Sequence, residues 1–195
     1  MDNFKVMHRA KLGLFGIISI VIVLGLISAS LNCGKDKNSS SQKGSSSAAS
    51  ENQSIQGDAS RLSHPFPSVL LKDLTDKVVP TEQILAGKNT VVLFISPTCA
   101  PCSDEIKRWK PLVPTLPPPF QVIGISADPV AELALYAKEQ QINFPTYSDP
   151  SEALIEYFKI STYPTIVGVT PDRVVKFIRP GYSGSLNPSQ YLQAF

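Results

Sequence analysis

The sequence predicts an α/β fold in which helices flank a mixed central β-sheet. Three observations support this prediction. Apolar runs rich in β-branched and aromatic residues alternate with segments of helical character. The last two runs are joined by a short turn, which indicates a hairpin. Finally, the apolar run 91–95 leads through a tight turn into a helix that begins with Cys99 and Cys102.

The first 33 residues have the pattern of a membrane-targeting segment. Residues 12–31 carry no charge, are rich in Ile, Leu and Val, and follow a basic start. A run of about 20 such residues can span a bilayer, and it also suits a secretory signal. The basic start would keep the N-terminus in the cytoplasm and send the remainder across the membrane. We therefore expect a cell-envelope protein whose folded part is extracytoplasmic, on the periplasmic side.

Cys33 ends this segment and resembles the cysteine that becomes lipidated in bacterial lipoproteins. The usual lipobox has Leu three positions before the cysteine and a small residue just before it, whereas Ser30 and Asn32 stand there in this chain. Two interpretations stay open: a lipoprotein modified at Cys33 through a relaxed lipobox, or an uncleaved transmembrane anchor at 12–31.

Residues 34–60 are predicted to be a flexible tether. The stretch is rich in Ser and has almost no large apolar side chain, so burial cannot offset the entropy of ordering it. A flexible tether suits both interpretations of the N-terminus. The folded domain is then expected at 61–195.

Each element of this domain has a local sequence pattern. Strands are predicted at 66–71, 90–95, 120–126, 165–169 and 174–178, with a turn at 72–77 and short extended pieces at 78–79 and 144–147. Helices are predicted at 80–86, from the two cysteines to about Trp109, and at 129–141, 150–158 and 187–195. Pro111 and Pro114 should keep the second helix short or kinked, and the proline run 117–119 should be extended.

Composition excludes two classes of function. The formal net charge is only +2, and no basic stripe with interleaved aromatics is present, so a nucleic-acid partner is not expected. The two histidines are too few and too scattered to complete a zinc site with one cysteine pair. No metal and no cofactor beyond a redox-active disulfide is therefore expected.

The Cys99–Cys102 pair predicts thiol–disulfide chemistry. A helix N-terminus stabilises a thiolate, because its free N–H groups and dipole favour negative charge. Cys99 is then the exposed nucleophile that attacks a protein disulfide, and Cys102 resolves the mixed disulfide. Pro101 stiffens the loop between the thiols, and Glu105 lies on the same helix face as Cys102. A structural disulfide or half of a metal site is the alternative.

Four segments together resemble a known family: 94–105, 122–128, 143–145 followed by Asp149, and 163–165. In this order and spacing they resemble the thioredoxin fold. Within the AhpC/TSA–redoxin superfamily they are most similar to the membrane-tethered TlpA/ResA-type thiol-disulfide oxidoreductases. The resemblance runs from about Pro65 to the C-terminus. One departure is Thr98, because the family usually has Trp before the first cysteine.

The resemblance implies several roles. Pro164 would form a cis peptide bond that faces the disulfide, and Tyr163 would line a substrate groove or belong to the core. Glu105 would tune active-site protonation, with a plain solvent-facing Glu as the alternative, while Trp109 is assigned to packing. The implied activity is reduction of protein disulfides, for instance of apocytochrome c. Electrons would come from a membrane thiol carrier of the DsbD/CcdA type.

Two other functions remain as alternatives. A thiol peroxidase of peroxiredoxin type would have Pro-x-x-x-Thr-x-x-Cys around its reactive thiol, a spacing that residues 97–99 do not provide. A non-catalytic, metal-delivering module of thioredoxin fold would have Cys-x-x-x-Cys and a later histidine, and neither follows His64.

Overall fold

The computed structural model describes residues 59–195. The predictions for Cys33, for the segment 12–31 and for nearly all of the tether lie outside the described residues. The strands are β1 (Leu70–Asp73), β2 (Val78–Pro80), β3 (Asn89–Phe94), β4 (Phe120–Ser126), β5 (Thr146–Ser148), β6 (Thr165–Val169) and β7 (Val175–Pro180). The α-helices are α1 (Thr81–Leu85), α2 (Ala100–Trp109), α3 (Val130–Glu139), α4 (Ala153–Phe158) and α5 (Ser189–Leu192), with single 3-10 turns at Ala59–Arg61 and Val113–Thr115.

The seven strands form one mixed sheet in the order β2-β1-β5-β4-β3-β6-β7. Strand β3 lies between β4, which runs parallel to it, and β6, which runs antiparallel. The register pairs Phe94 with both Ile125 and Thr165, and it pairs Thr165 with Pro180. The segments that follow β3, β4 and β7, and the segment that precedes β6, therefore meet at one end of the sheet. We call this the Cys99 end.

Strand β3 is buried on both faces, which explains its uninterrupted apolar sequence. Val91, Leu93 and Ile95 pack into one hydrophobic cluster, and Val92 and Phe94 pack into the other. The first cluster includes buried residues of α2, α3 and α5, and the second includes residues of α1 and α4. The predicted arrangement of helices on both sides of a mixed sheet is confirmed.

Two local predictions are wrong. The first strand begins at Leu70 rather than at residue 66 and extends through Asp73 into the predicted turn. Phe66 is buried, but its N–H donates to the Arg173 carbonyl at 2.7 Å, outside the β1 ladder, and Pro67 has no N–H to donate. The run 117–119 is not extended, because the Phe120 N–H closes a turn on the Pro117 carbonyl at 2.9 Å.

The prediction for α2 is confirmed. The helix ends at Trp109, just before Pro111, and a single 3-10 turn containing Pro114 follows it. A proline inside a helix removes a hydrogen-bond donor and clashes with the preceding turn, so the helix stops in advance of it. The other helices have the predicted type but are shorter at their ends, as frayed helix termini commonly are.

The N-terminal part of the described chain joins the domain at the end opposite to the Cys99 end. The Ser63 N–H donates to the Val175 carbonyl at 2.9 Å, and Pro65 forms a bridge with Val174. Val175 starts β7, which leads toward the Cys99 end. Within residues 59–195, no helix has the length and apolar character needed to cross a membrane.

Candidate active site

Cys99 and Cys102 lie at the start of α2, just after the turn that follows β3. Cys99 is the N-cap residue of the helix, and its sulfur accepts a hydrogen bond from the Cys102 N–H at 3.2 Å. The two cysteines form a disulfide with their Cα atoms 5.3 Å apart. Pro101 lies in the first helical turn, where its missing N–H leaves no helix hydrogen bond unmade. The predicted pair is thus at a helix N-terminus.

The two sulfur-bearing residues differ in exposure. Cys102 is completely buried, whereas Cys99 is partly exposed. The first turn of α2 contains no acidic residue to oppose a thiolate at Cys99. A disulfide or thiol from outside can therefore approach Cys99, and the buried Cys102 can react only with Cys99.

The turn before the disulfide presents hydroxyl groups. The Cys99 N–H donates to the Ser96 carbonyl at 3.1 Å, and the Ser96 and Thr98 hydroxyl oxygens lie 3.1 Å apart. Thr98 is exposed. The position next to the reactive thiol therefore carries a small polar side chain, in place of the tryptophan that the resembled family usually has.

Glu105 is buried, so the solvent-facing alternative is wrong. Only 1% of its side chain is exposed, and Oε1 accepts a hydrogen bond from the Trp109 indole N–H at 2.8 Å. The Arg108 guanidinium lies 3.5 Å from Oε2. Burial raises the pKa of the Glu105 carboxyl above its ordinary value, and the Trp109 hydrogen bond and the Arg108 charge oppose that rise.

Aromatic rings form the wall beside this carboxyl. Trp109 is fully buried, as predicted, and stacks on Tyr191 with ring centroids 5.9 Å apart. Tyr191 also stacks on Phe177 at 5.7 Å. Burial raises the pKa of Tyr191, and the negative charge of Glu105 raises it further. This low-polarity setting strengthens the electrostatic coupling between Glu105 and its neighbours.

Tyr163 and Pro164 lie at the Cys99 end because they directly precede β6. The peptide bond between them is cis. Tyr163 is half-buried and packs against both hydrophobic clusters, and Cys99 packs against one of the two. Within residues 59–195, the main-chain N–H and C=O of Tyr163 form no hydrogen bond.

Three carboxylates act electrostatically on the Tyr163 hydroxyl. Burial raises the pKa of Tyr163, and the charges of Asp128, Glu152 and Asp149 raise it further. Asp128 follows β4, while Asp149 follows β5 and caps α4 by accepting from the Leu154 N–H at 2.8 Å. The rim of the Cys99 end beside Tyr163 is therefore acidic.

The predicted site residues thus fall into two groups at one end of the sheet. Cys99, Pro101, Cys102 and Glu105 lie at or on α2, and Tyr163 and Pro164 precede β6. The sequence interpretation missed the contacts of Glu105 with Arg108 and Trp109, although their spacings of three and four residues indicate neighbours on a helix. Within residues 59–195, no group of three or more His, Cys, Asp or Glu side chains could hold a metal ion.

Comparisons with known proteins agree with this architecture. The sequence profile of the AhpC/TSA family matches residues 62–178. A comparison with curated protein sequences gives no significant match. Among solved structures, peroxidoxin BcpB from Mycobacterium tuberculosis is similar at a TM-score of 0.60 and 18% identity, covering 69% of this chain and 95% of that one.

Two further solved structures show the same similarity. A putative thiol:disulfide interchange protein DsbE from Chlorobium tepidum has a TM-score of 0.60 and 18% identity, over 67% of this chain and 94% of its own. A putative thioredoxin from Neisseria meningitidis has a TM-score of 0.56 and 25% identity, over 65% of this chain and 86% of its own. The predicted thioredoxin-like fold is confirmed.

Proposed function

The chain belongs to the AhpC/TSA family, and we propose that it is a thiol-disulfide oxidoreductase that reduces protein disulfides in the cell envelope through Cys99 and Cys102. The observation that carries the proposal is the difference in exposure between the two cysteines. A partly exposed sulfur at a helix N-terminus, backed by a fully buried one, suits an exchange in which only Cys99 meets the substrate.

The reaction begins with both cysteines reduced. The Cys99 thiolate attacks one sulfur of a substrate disulfide, forms a mixed disulfide and releases the other substrate sulfur as a thiolate. The Cys102 thiolate then attacks the Cys99 sulfur and releases the second substrate thiolate. Two electrons have moved to the substrate, and Cys99–Cys102 is the oxidised product. A dithiol of a membrane carrier of the DsbD/CcdA type restores the reduced pair by the reverse exchange.

Glu105 handles the proton of Cys102 in this scheme. The carboxyl is buried one helical turn after Cys102, and burial raises its pKa toward the range in which a thiol can exchange a proton with it. An ionised Glu105 accepts the Cys102 proton as the thiolate forms. A protonated Glu105 leaves the thiol in place until the mixed disulfide is ready for resolution.

The substrate strand lies against Tyr163. The free main-chain N–H and C=O of this residue can pair with an extended peptide, as in strand addition at a sheet edge. Pro164 offers no N–H of its own, so the pairing stops there. The peptide would thereby bring its disulfide to the exposed side of Cys99.

The envelope location rests on the sequence of residues 1–60. A lipidated Cys33 or a transmembrane segment at 12–31 would attach the domain to the membrane, with the tether between them. Residues 63–66 join the domain opposite the Cys99 end, so the segment that leads into the domain does not itself cover the disulfide. Apocytochrome c is one disulfide substrate that suits this compartment.

Insulin reduction tests the proposed activity. The full-length protein in detergent, supplied with dithiothreitol, should precipitate insulin B chain faster than dithiothreitol alone. Cys99→Ser should abolish the acceleration, and Cys102→Ser should accumulate a mixed disulfide with insulin that a non-reducing gel detects. A reduction potential near that of strong oxidants, rather than near thioredoxin's value of about −270 mV, would contradict a reducing role.

A thiol peroxidase is the second candidate, and it is favoured by the structural similarity to a peroxidoxin. In that case Cys99 would attack the peroxide O–O bond, become a sulfenic acid and release water or an alcohol. Cys102 would condense with the sulfenic acid, losing water and forming the disulfide. Peroxide consumption that is fast, and that outpaces insulin reduction at equal protein concentration, would select this function over the first.

A further inference from the structure

Arg108 links the buried carboxyl of Glu105 to a segment far away in sequence. Its Nη1 atom lies 3.5 Å from Glu105 Oε2 and donates a hydrogen bond to the Ser183 carbonyl at 2.6 Å. Its guanidinium carbon lies 5.6 Å from the centre of the Tyr182 ring. Only 21% of the Arg108 side chain is exposed, against 66% for the neighbouring Lys107. Arg108 is thus held from two sides.

The segment 181–183 also holds the residues just before β6, Tyr163 and Pro164, which we call the Pro164 loop. The Gly181 N–H donates to the Pro164 carbonyl at 2.8 Å. Gly181 has φ +80°, in the left-handed region that favours glycine, and this turns the chain from β7 toward Arg108. Three residues therefore bridge the two halves of the site: one end bonds to Pro164 and the other to Arg108.

We propose that Arg108 is a positioning residue for Glu105. In this proposal the segment 181–183 fixes the position of the Arg108 guanidinium, and it thereby couples the Pro164 loop to the charge on Glu105. The inference rests on the proposed function, because it names what controls the proton-handling group of that reaction. Arg108 itself touches neither the thiols nor the substrate strand in this assignment.

The groups around Glu105 make Arg108 the residue that most directly controls the charge of this carboxyl. Glu105 faces Arg108 of α2 and Tyr191 of α5, and Arg179 on β7 acts on Tyr191. Arg108 is the cation in ion-pair distance of the carboxylate. Because the site is buried, the loss of this cation leaves the carboxylate, among residues 59–195, with the Trp109 hydrogen bond alone, so the protonated form of Glu105 is favoured. A shift of the Ser183 carbonyl would act in the same direction by moving the guanidinium.

The single tryptophan of the chain offers a direct readout. Trp109 donates its indole N–H to Glu105, so its fluorescence should change as the carboxyl titrates. We would titrate the oxidised full-length protein from acidic to mildly basic pH and follow this emission. Glu105→Gln should remove the transition, which assigns it to Glu105.

Three variants then test Arg108. Arg108→Gln should move the transition to higher pH, and Arg108→Lys, which keeps a cation, should return it at least halfway to the wild-type midpoint. Lys107→Gln is the matched control, since it removes one positive charge from the next position of the same helix and should leave the midpoint unchanged. Gly181→Ala should shift the midpoint upward by less than Arg108→Gln.

The outcomes separate the possibilities. An unchanged midpoint in Arg108→Gln, or an equal shift in Lys107→Gln, overturns the inference, and so does a lower melting temperature without a shift. If Arg108→Gln does not fold, Arg108→Lys and Gly181→Ala still decide the question through their midpoints. A chain that titrates as expected but reduces no insulin overturns the proposed function and leaves the Arg108–Glu105 assignment standing.

Discussion

The two sides of helix α2 carry the same kinds of group in opposite environments. The outward side has a partly exposed thiol, Cys99 at the N-cap, and an exposed ion pair in which Lys107 lies 3.0 Å from Asp104. The inward side has the buried Cys102 and the ion pair of Glu105 with Arg108. Both ion pairs have the same spacing along the helix.

Burial, not residue type, assigns the roles of the side chains on α2. The buried positions of α2 are Cys102, Glu105, Ile106 and Trp109, which is the apolar stripe of an amphipathic helix with a thiol and a carboxyl placed in it. Burying a carboxylate on this stripe costs desolvation energy even where it is paired, and a buried carboxyl with a raised pKa one turn from a reactive thiol is a candidate for chemistry. The exposed carboxylate of Asp104 carries no such cost.

The largest expected difference concerns the thiols. In the reduced, folded protein, iodoacetamide should alkylate Cys99 and spare Cys102, because only Cys99 is accessible and lies at the helix N-terminus. Peptide mass spectrometry after a short pulse would measure the two sites separately. Denaturant should make both sites react, which serves as the control. Equal labelling of the two cysteines in the folded state would contradict the assignment of Cys99 as the nucleophile.

A second prediction concerns Trp109, which closes the inward side. Trp109→Ala should lower the free energy of unfolding by about 3–5 kcal/mol, the usual cost of truncating a large buried aromatic. Trp109→Phe keeps most of the packing but removes the indole N–H from Glu105, and it should cost less, about 1–3 kcal/mol. Urea unfolding followed by circular dichroism measures both values. If Trp109→Phe costs nothing, the hydrogen bond to Glu105 contributes nothing to the free energy of unfolding.

These contrasts also show what sequence could predict. Strands β4 and β6 have the predicted bounds, because strands buried on both faces are continuous apolar runs with clear ends. The strand predicted at 66–71 fails, because the Phe66 ring packs on Phe158 and its N–H donates to the Arg173 carbonyl, outside the β1 ladder. A local pattern does not distinguish a buried loop residue from a strand residue.

The site divides in the same way. The two cysteines, Pro101 and Glu105 follow from spacing along one helix, because neighbours on a helix face are fixed by its period. The bond from Arg108 to Ser183 joins residues 75 positions apart, and no local pattern specifies it. That Glu105 is buried also depends on which side of α2 meets the sheet, which only the folded arrangement determines.

A third prediction uses the pH dependence of stability. Burial raises the pKa of Glu105 above its ordinary value of 4.5, so the folded state holds this proton more tightly than the unfolded chain. The resulting stability is fully present below the ordinary value and is lost as pH rises through the folded-state pKa. Glu105→Gln has no carboxyl to titrate, so it cannot lose this stabilisation as pH rises. The free energy of unfolding of this variant relative to wild type should therefore increase with pH between the ordinary and the folded-state pKa of Glu105 and then level off.

Urea unfolding at a series of pH values measures this increase. Asp104→Asn is the matched control, because it removes an exposed carboxylate from the adjacent position of the same helix. Its effect on the free energy of unfolding should vary less over the same range. A difference between Glu105→Gln and wild type that stays constant with pH would mean that burial does not perturb the Glu105 carboxyl.

The smallest expected effect belongs to the outward ion pair. Asp104 and Lys107 keep 55% and 66% of their side chains exposed, so water screens their attraction and competes for both groups. Lys107→Ala should change the free energy of unfolding by about 0.5 kcal/mol or less, and added salt should reduce that change further. Thermal unfolding at low and high ionic strength tests both statements. A cost for Lys107→Ala equal to that of Arg108→Ala would remove the distinction between the two sides, because the same spacing would then have the same worth in water and in the core.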